Sequence, residues 1–410
     1  MMPQPRLSDV AAAQLKALRA DAQRELVENI LPFSMQRVMD RERGGFYGYV
    51  ANDGTAQKDA PKALIQHSRM LWTFVHAGRT LDSSEYSSAA QHARDSVMKW
   101  FWDLQLGGCF WMVDSSGKPL RNEKLTYGQA FAIYALAEDH LAGGQPRSHM
   151  RASELFRLIE SNCRDSLYGG YWEACRRDWM PAPELRVDET ALPVAKGMNT
   201  HLHLLEAYTN LLHAWDHDEV RESLRSLIRL MLGRILQAGT RHLCLFFDRA
   251  WRPLSQAVSY GHDIEASWLL TEAAEALDDN HLWEEARQGT LQLAYATLEQ
   301  GVGPDGGLFS EGDASGATNR SREWWPQAEA VVGFLNAFEL SSDTRFLDAS
   351  LASWRFIQEH IVDKVNGDWL WGVDDVGRPL QREKAGPWKA AYHSGRTCME
   401  VMRRVQRLTS

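Results

Sequence analysis

Apolar residues recur at three- and four-residue spacing along most of this chain, the signature of helices burying one face. Six such stretches run from Ala63 to Ala77, Tyr127 to Ala142, Met198 to Trp215, Tyr260 to Leu277, Trp325 to Leu340 and Tyr392 to Val405. Six more alternate with them: Val10 to Met39, Tyr86 to Leu104, Met150 to Asn162, Val220 to Gln237, His281 to Glu299 and Thr344 to His360. The second set carries more charge, as at Arg221, Glu222, Arg225 and Arg229, and reads as outer helices with a wet face. The first set is richer in small and aromatic residues and reads as inner helices, buried on two sides.

A short glycine–aromatic signature punctuates this alternation every 60 to 75 residues or so. It stands at Gly44-Gly45-Phe46-Tyr47, Gly107-Gly108-Cys109-Phe110-Trp111, Gly169-Gly170-Tyr171-Trp172, Asp305-Gly306-Gly307-Leu308-Phe309 and Gly367-Asp368-Trp369-Leu370-Trp371. A fourth copy, Leu243-Cys244-Leu245-Phe246-Phe247-Asp248, has lost its glycines. Alternating aromatics followed by an Asp-x-x-Gly turn, as in Val113-Asp114-Ser115-Ser116-Gly117 and Val373-Asp374-Asp375-Val376-Gly377, predict β-hairpins. Six repeats of outer helix, hairpin and inner helix predict an all-α (α/α)6 barrel spanning residues 1–410 as one domain. The inner helices then begin at one end and converge on a pit. The segment from Met180 to Gly197, with three prolines, is the longest irregular stretch and is expected to lie over the pit mouth.

Composition narrows the function classes. The chain has 410 residues, 44% hydrophobic and 24% charged, with a net charge of −9, values of an ordinary globular protein with no affinity for nucleic acid. No basic run suits a membrane surface, and no apolar run approaches spanning length. Five scattered cysteines without a CxxC pair fit reduced thiols in the cytoplasm. Neither HExxH, GxGxxG after a strand nor GxxxxGK[ST] occurs, so no metal centre, cofactor or nucleotide is expected. The chain reads as a monomer or weak homodimer.

The pit residues set the chemistry. Trp324, Trp325, Trp388 and Trp268 lie at or near inner-helix starts, where indole faces stack on pyranose rings; Trp72, Trp100, Trp111 and Trp354 read as core. His201 and His203 lie about 200° apart on a helix and cannot share an ion. His203 shares a face with Asn199 and is taken as pit-facing, His201 as packed or capping. His262 shares a face with Glu265, whose carboxylate either orients the imidazole or holds a sugar hydroxyl. His393 opens the last inner helix. Imidazoles on opposite sides of a carbon can remove its hydrogen on one face and return it on the other. For an opened aldose that carbon is C2, and Arg69, Tyr127 and the third histidine would serve the enediolate.

The segments Ile30-Leu31-Pro32-Phe33, His67-Ser68-Arg69-Met70-Leu71-Trp72, Thr126-Tyr127-Gly128-Gln129, Met198-Asn199-Thr200-His201-Leu202-His203, Ser259-Tyr260-Gly261-His262-Asp263-Ile264-Glu265, Arg322-Glu323-Trp324-Trp325-Pro326-Gln327 and Lys384-Ala385-Gly386-Pro387-Trp388-Lys389 occur in this order. Together they resemble the N-acylglucosamine 2-epimerase superfamily, and within it the cellobiose 2-epimerases. The chain departs from that pattern at Gly197, Ala391 and Ser394. The resemblance implies His262 and His393 as the acid/base pair at C2 and His203 as the group assisting ring opening. It implies Arg69, Tyr127, Asn199 and Glu265 as holding the reducing-end sugar, with Trp325 and Trp388 stacking on it. The implied reaction is cofactor-free epimerisation of β-1,4-linked disaccharides. The alternatives are a mannose 2-epimerase or mannose–fructose isomerase of the same superfamily, an (α/α)6 glycoside hydrolase using Glu265 with Glu329, and a non-catalytic sugar-binding protein.

Overall fold

The computed structural model describes residue 5, residues 7–185 and residues 194–409. Its twelve long helices alternate as the periodicity predicts. The outer ones are α1 (Asp9–Glu25), α3 (Ser87–Ser96), α5 (Pro146–Asn162), α7 (Asp218–Leu230), α9 (Asn280–Gln300) and α11 (Thr344–Phe356). The inner ones are α2 (Leu64–Thr80), α4 (Thr126–Leu141), α6 (Met198–Ala214), α8 (Tyr260–Leu277), α10 (Trp324–Ser341) and α12 (Tyr392–Thr409). Their arrangement is an (α/α)6 barrel. Most of α4, from Thr126 to Asp139, is buried all round, and so is most of α10, whereas α7 buries one stripe through Val220, Ser223, Leu224, Leu227 and Ile228.

Four outer helices end in one wide turn, Ser34–Val38, Val97–Phe101, Met231–Ile235 and Ile357–Ile361, whose bonds reach five residues back. That turn hands the chain to an extended residue, so Met39 faces Phe46, Trp102 faces Cys109 and Val362 faces Trp369. The hairpin then pairs with the strand entering the preceding inner helix. Residues 62–63 pair with 112–113, 124–125 with 174–175, 196–197 with 246–247, 258–259 with 311–312, and 322–323 with 372–373, all antiparallel. Val50 with Ala385 closes the ring.

These junctions also start the helices. No side chain caps α2, α4, α6 or α10; instead the first N–H of each donates to a carbonyl of the next hairpin, Leu64 to Trp111, Thr126 to Glu173, Met198 to Leu245 and Trp324 to Trp371. The fourth residue of an inner helix holds the aromatic strand. Phe46 donates its N–H to His67 Nε2, Cys109 to Gln129, Tyr171 to His201 Nε2, Leu243 to Asp263 and Leu308 to Gln327, at 2.7–3.1 Å. His201 is thus the capping histidine that its position predicts. Beneath each glycine turn a buried cation meets an aspartate: Lys62 with Asp40, Lys124 with Asp103, Lys196 with Asp165, Arg322 with Asp305 and Lys384 with Asp363. Of the segment expected over the pit mouth, residues 186–193 lie outside the described residues.

Candidate active site

The inner-helix starts enclose a pit of about 400 Å³. The residues given catalytic or sugar-holding roles in the sequence all line it, Arg69, Tyr127, Asn199, His203, His262, Glu265, Trp325, Trp388 and His393, and so does Trp324. A hollow of about 570 Å³ at the opposite end, lined by Trp72, Glu138, Glu272 and Arg403, contains none of the three histidines. Trp268 belongs there rather than in the pit, correcting the expectation. It stands in the third turn of α8, buried, with its indole N–H donating to Glu329 Oε2 at 3.0 Å.

Each imidazole is anchored through Nδ1. His203 Nδ1 donates to Glu206 Oε2 at 2.8 Å, His393 Nδ1 to Glu329 Oε1 at 2.7 Å, and His262 Nδ1 pairs with Ser259 Oγ at 2.7 Å. No Nε2 of the three has a hydrogen-bond partner among the described residues, which leaves it for a ligand in the pit. Trp325 lies against both members of the pair, 4.7 Å from His262 and 5.7 Å from His393 between ring centres. Gly261 makes room for it, since a Cβ there would sit 2.6 Å from the Trp325 ring. Of the two uses open to Glu265, orienting His262 is not the one made: its carboxylate turns to Arg396 at 2.5 Å.

Arg396 organises the pit floor. Its guanidinium bonds Glu206, Glu265 and Glu329 together, and the Tyr392 hydroxyl as well. Glu265, Glu329 and His393 converge closely enough to hold a cation, and the guanidinium fills that place. Burial pushes the Glu265 carboxyl up to about 8, with neighbouring Glu329 adding to the effect. For Glu206 burial acts the same way, but Arg396 and His203 outweigh it and bring the carboxyl down to about 2. Burial lowers His262 and His393 to about 3 each, against the pull of Glu329 on both, so their neutral forms are favoured.

Arg69 differs from the other buried arginine here. It donates to the Trp388 carbonyl and to the Tyr127 hydroxyl, both at 2.8 Å, and packs over the Phe131 ring at 4.5 Å. Among the described residues no carboxylate lies within ion-pair distance of it. Its Nε and the Asn199 Oδ1 are buried without a partner, the condition of a site built for a polar ligand. Trp388 sits in the turn before α12, as its spacing from His393 predicts.

Sequence reasoning missed Glu206, Ser259 and Arg396, and it missed the rim residues Glu323, Trp371 and Arg382. The signal for the first group was present: Glu206 follows His203 by three, Ser259 precedes His262 by three, and Arg396 follows Tyr392 by four. Arg382 lies 3.8 Å over the Trp371 ring, where the sixth hairpin folds back on itself, a stacking with no sequence signature.

The chain is similar to known sugar epimerases over nearly its whole length. The curated cellobiose 2-epimerase of Bacteroides fragilis is 41% identical over 388 residues, covering 94% of this chain and 98% of that protein. The solved cellobiose 2-epimerase of Bacillus thermoamylovorans B4167 superposes with a TM-score of 0.91 at 35% identity, covering 95% of this chain and 100% of the other. A D-mannose isomerase structure shares the fold at a TM-score of 0.80 and 20% identity, covering 97% of this chain and 100% of that one. Residues 45–396 match the N-acylglucosamine 2-epimerase (GlcNAc 2-epimerase) family, and the chain belongs to it.

Proposed function

We propose that this protein is a cofactor-independent epimerase acting at C2 of the reducing-end glucose of β-1,4-linked disaccharides such as cellobiose and lactose, giving a terminal mannose. The observation that carries the reaction type is the set of three imidazoles around one pit, each held at Nδ1 and unpartnered at Nε2. The disaccharide preference rests on the relatives that bear the name cellobiose 2-epimerase.

The steps follow from the chemistry of the groups. His203 assists ring opening. One of His262 and His393 takes the C2 proton at Nε2, and the C–H electron pair moves into the C1 carbonyl to give a cis-enediolate. The enediolate charge raises the proton affinity of the other imidazole, which takes a proton from solvent and delivers it to the opposite face of C2 while the carbonyl re-forms. The first imidazole releases its proton to solvent, and both return to the neutral form that burial favours. The charge on O1 and O2 falls to Arg69 and Tyr127, the guanidinium being the pit cation with no carboxylate of its own. Asn199 and Glu265 hold sugar hydroxyls, and Trp325 and Trp388 stack on the rings. A hydrolase would place carboxylates on both sides of a glycosidic bond. Here Glu265 and Glu329 share the Arg396 guanidinium and stand together. The five cysteines are all free, which fits a reducing cytoplasm.

The test is a product screen of cellobiose, lactose, glucose and mannose with the wild type, His262→Asn and His393→Asn. The expected outcome is a mannose-terminated disaccharide with the wild type, and loss of turnover with sugar binding retained in both variants. A fully active variant would overturn the residue assignment, and released glucose would overturn the reaction type.

A further inference from the structure

The fourth repeat lacks the glycine turn, and the structure shows what else is lost with it. In the other repeats an aromatic ring covers the turn. A Cβ at Gly45 would lie 2.6 Å from Trp100, at Gly108 2.3 Å from Trp179, at Gly170 2.4 Å from Trp251, and at Gly307 2.8 Å from Phe356. The buried cation lies beneath the same ring, Lys62 at 4.9 Å from Trp100, Lys124 at 5.8 Å from Trp179 and Lys196 at 4.7 Å from Trp251. Trp179 and Trp251 each occupy a left-handed hairpin position, φ 68°; in the hairpin facing the fourth turn the corresponding residue is Gly316, φ 112°. Around Gly316 an added Cβ would meet nothing within 4 Å. The cation's place is taken by Val258.

Where the indole and the cation are missing there is a cavity of about 640 Å³, within the range of roughly 300–1,000 Å³ of small-molecule sites. Its polar lining is Gln237, Thr240, His242, Ser255, Gln256 and Gln300, with Arg241 and Asp313 as charged lining residues and Leu243, Pro253 and Val258 as apolar wall. Asp313 accepts from the Ser315 N–H and hydroxyl. His242 is fixed by Asp263 at 2.7 Å and faces Gln300 Oε1 at 3.2 Å. The Gln256 amide and the Gln300 Nε2 bond no protein group among the described residues. Arg241, the cation at the edge, is already paired with Glu299.

We propose that this cavity is a second, non-catalytic carbohydrate site that takes one neutral pyranose ring in the place of the absent indole. Amides and hydroxyls beside an apolar wall of Leu243, Pro253 and Val258 match a ring with hydroxyls on its rim and C–H groups on its face. The site adjoins the machinery of the pit. Val258 precedes Ser259, which holds His262, and Asp263, which holds His242, follows His262 in sequence.

Methyl β-D-glucopyranoside, which cannot open, is the probe. Calorimetric titration of the full chain should show two classes of site. Gln256→Leu combined with Gln300→Leu should weaken one class by about tenfold or more, through loss of two hydrogen-bonding groups. Ala314→Trp, which sets an indole at the cavity wall, should abolish that class and leave the other unchanged. A single class of site, identical in the wild type and both variants, would overturn the proposal. The proposal goes beyond the epimerase reading, and because the probe is bound and not turned over, the result is readable even in a protein without epimerase activity.

Discussion

A buried guanidinium with no carboxylate partner is costly unless something else supplies the negative charge. Arg69 is in that position, while Arg396, one layer below, is satisfied three times over. The enediolate is the charge that Arg69 would meet, and only along the reaction. Arg69→Met should therefore lower kcat by about 10²- to 10³-fold, the usual cost of an oxyanion donor, with a smaller change in the affinity for cellobiose measured by calorimetry. An equal loss in both would reduce Arg69 to ground-state binding. At this scale the site was largely legible, because His203, His262 and His393 sit within the first two turns of their helices. The partners that aim them were less so. Glu265 shares a helix face with His262, yet it turns to Arg396, since a buried guanidinium attracts every carboxylate within reach.

The junction between hairpin and inner helix is the repeated element, and its fourth helical residue is a test of what that element needs. His67 and His201 accept a backbone N–H at Nε2 and donate from Nδ1 to the carbonyl four residues back, so each must be neutral. Burial lowers His67 to about 3 and His201 to about 4. The unfolded chain binds these protons near pH 6.5 and the folded chain does not, so stability is full above about 6.5 and falls as the pH drops toward 4. His201 accounts for about 2 kcal/mol of that loss by pH 5. Gln129 and Gln327 do the same work without titrating. His201→Gln should fold, keep its Tm near pH 7.5, and lose less Tm than the wild type between pH 7 and 5. An unchanged pH slope would contradict the role given to this residue. The twelve helices and the hairpins were legible from spacing and glycine alone. The wide last turns of the outer helices were not, because one extra residue per turn leaves the apolar pattern almost unchanged. Nor was the burial of Lys62, Lys124 and Lys196, since lysine reads as surface until its aspartate and aromatic cover are known.

At the scale of the molecule, closure matters most. The pairing of Val50 with Ala385 joins the first hairpin to the segment before α12, bringing Trp388 and His393 beside Arg69 and Tyr127. The repeat count foretold that closure. It could not foretell that Trp268 would look into the hollow at the far end, because only the register of α8 against α10 decides which turn reaches the pit. The central claim is that two imidazoles pass protons to and from C2 on opposite faces of an opened sugar. Its most direct test is to convert cellobiose in deuterated water and read the isotope in the product by NMR. The account predicts one deuterium at C2 of the mannose residue and none at any other carbon. A mannose product whose C2 hydrogen has been retained throughout would contradict it.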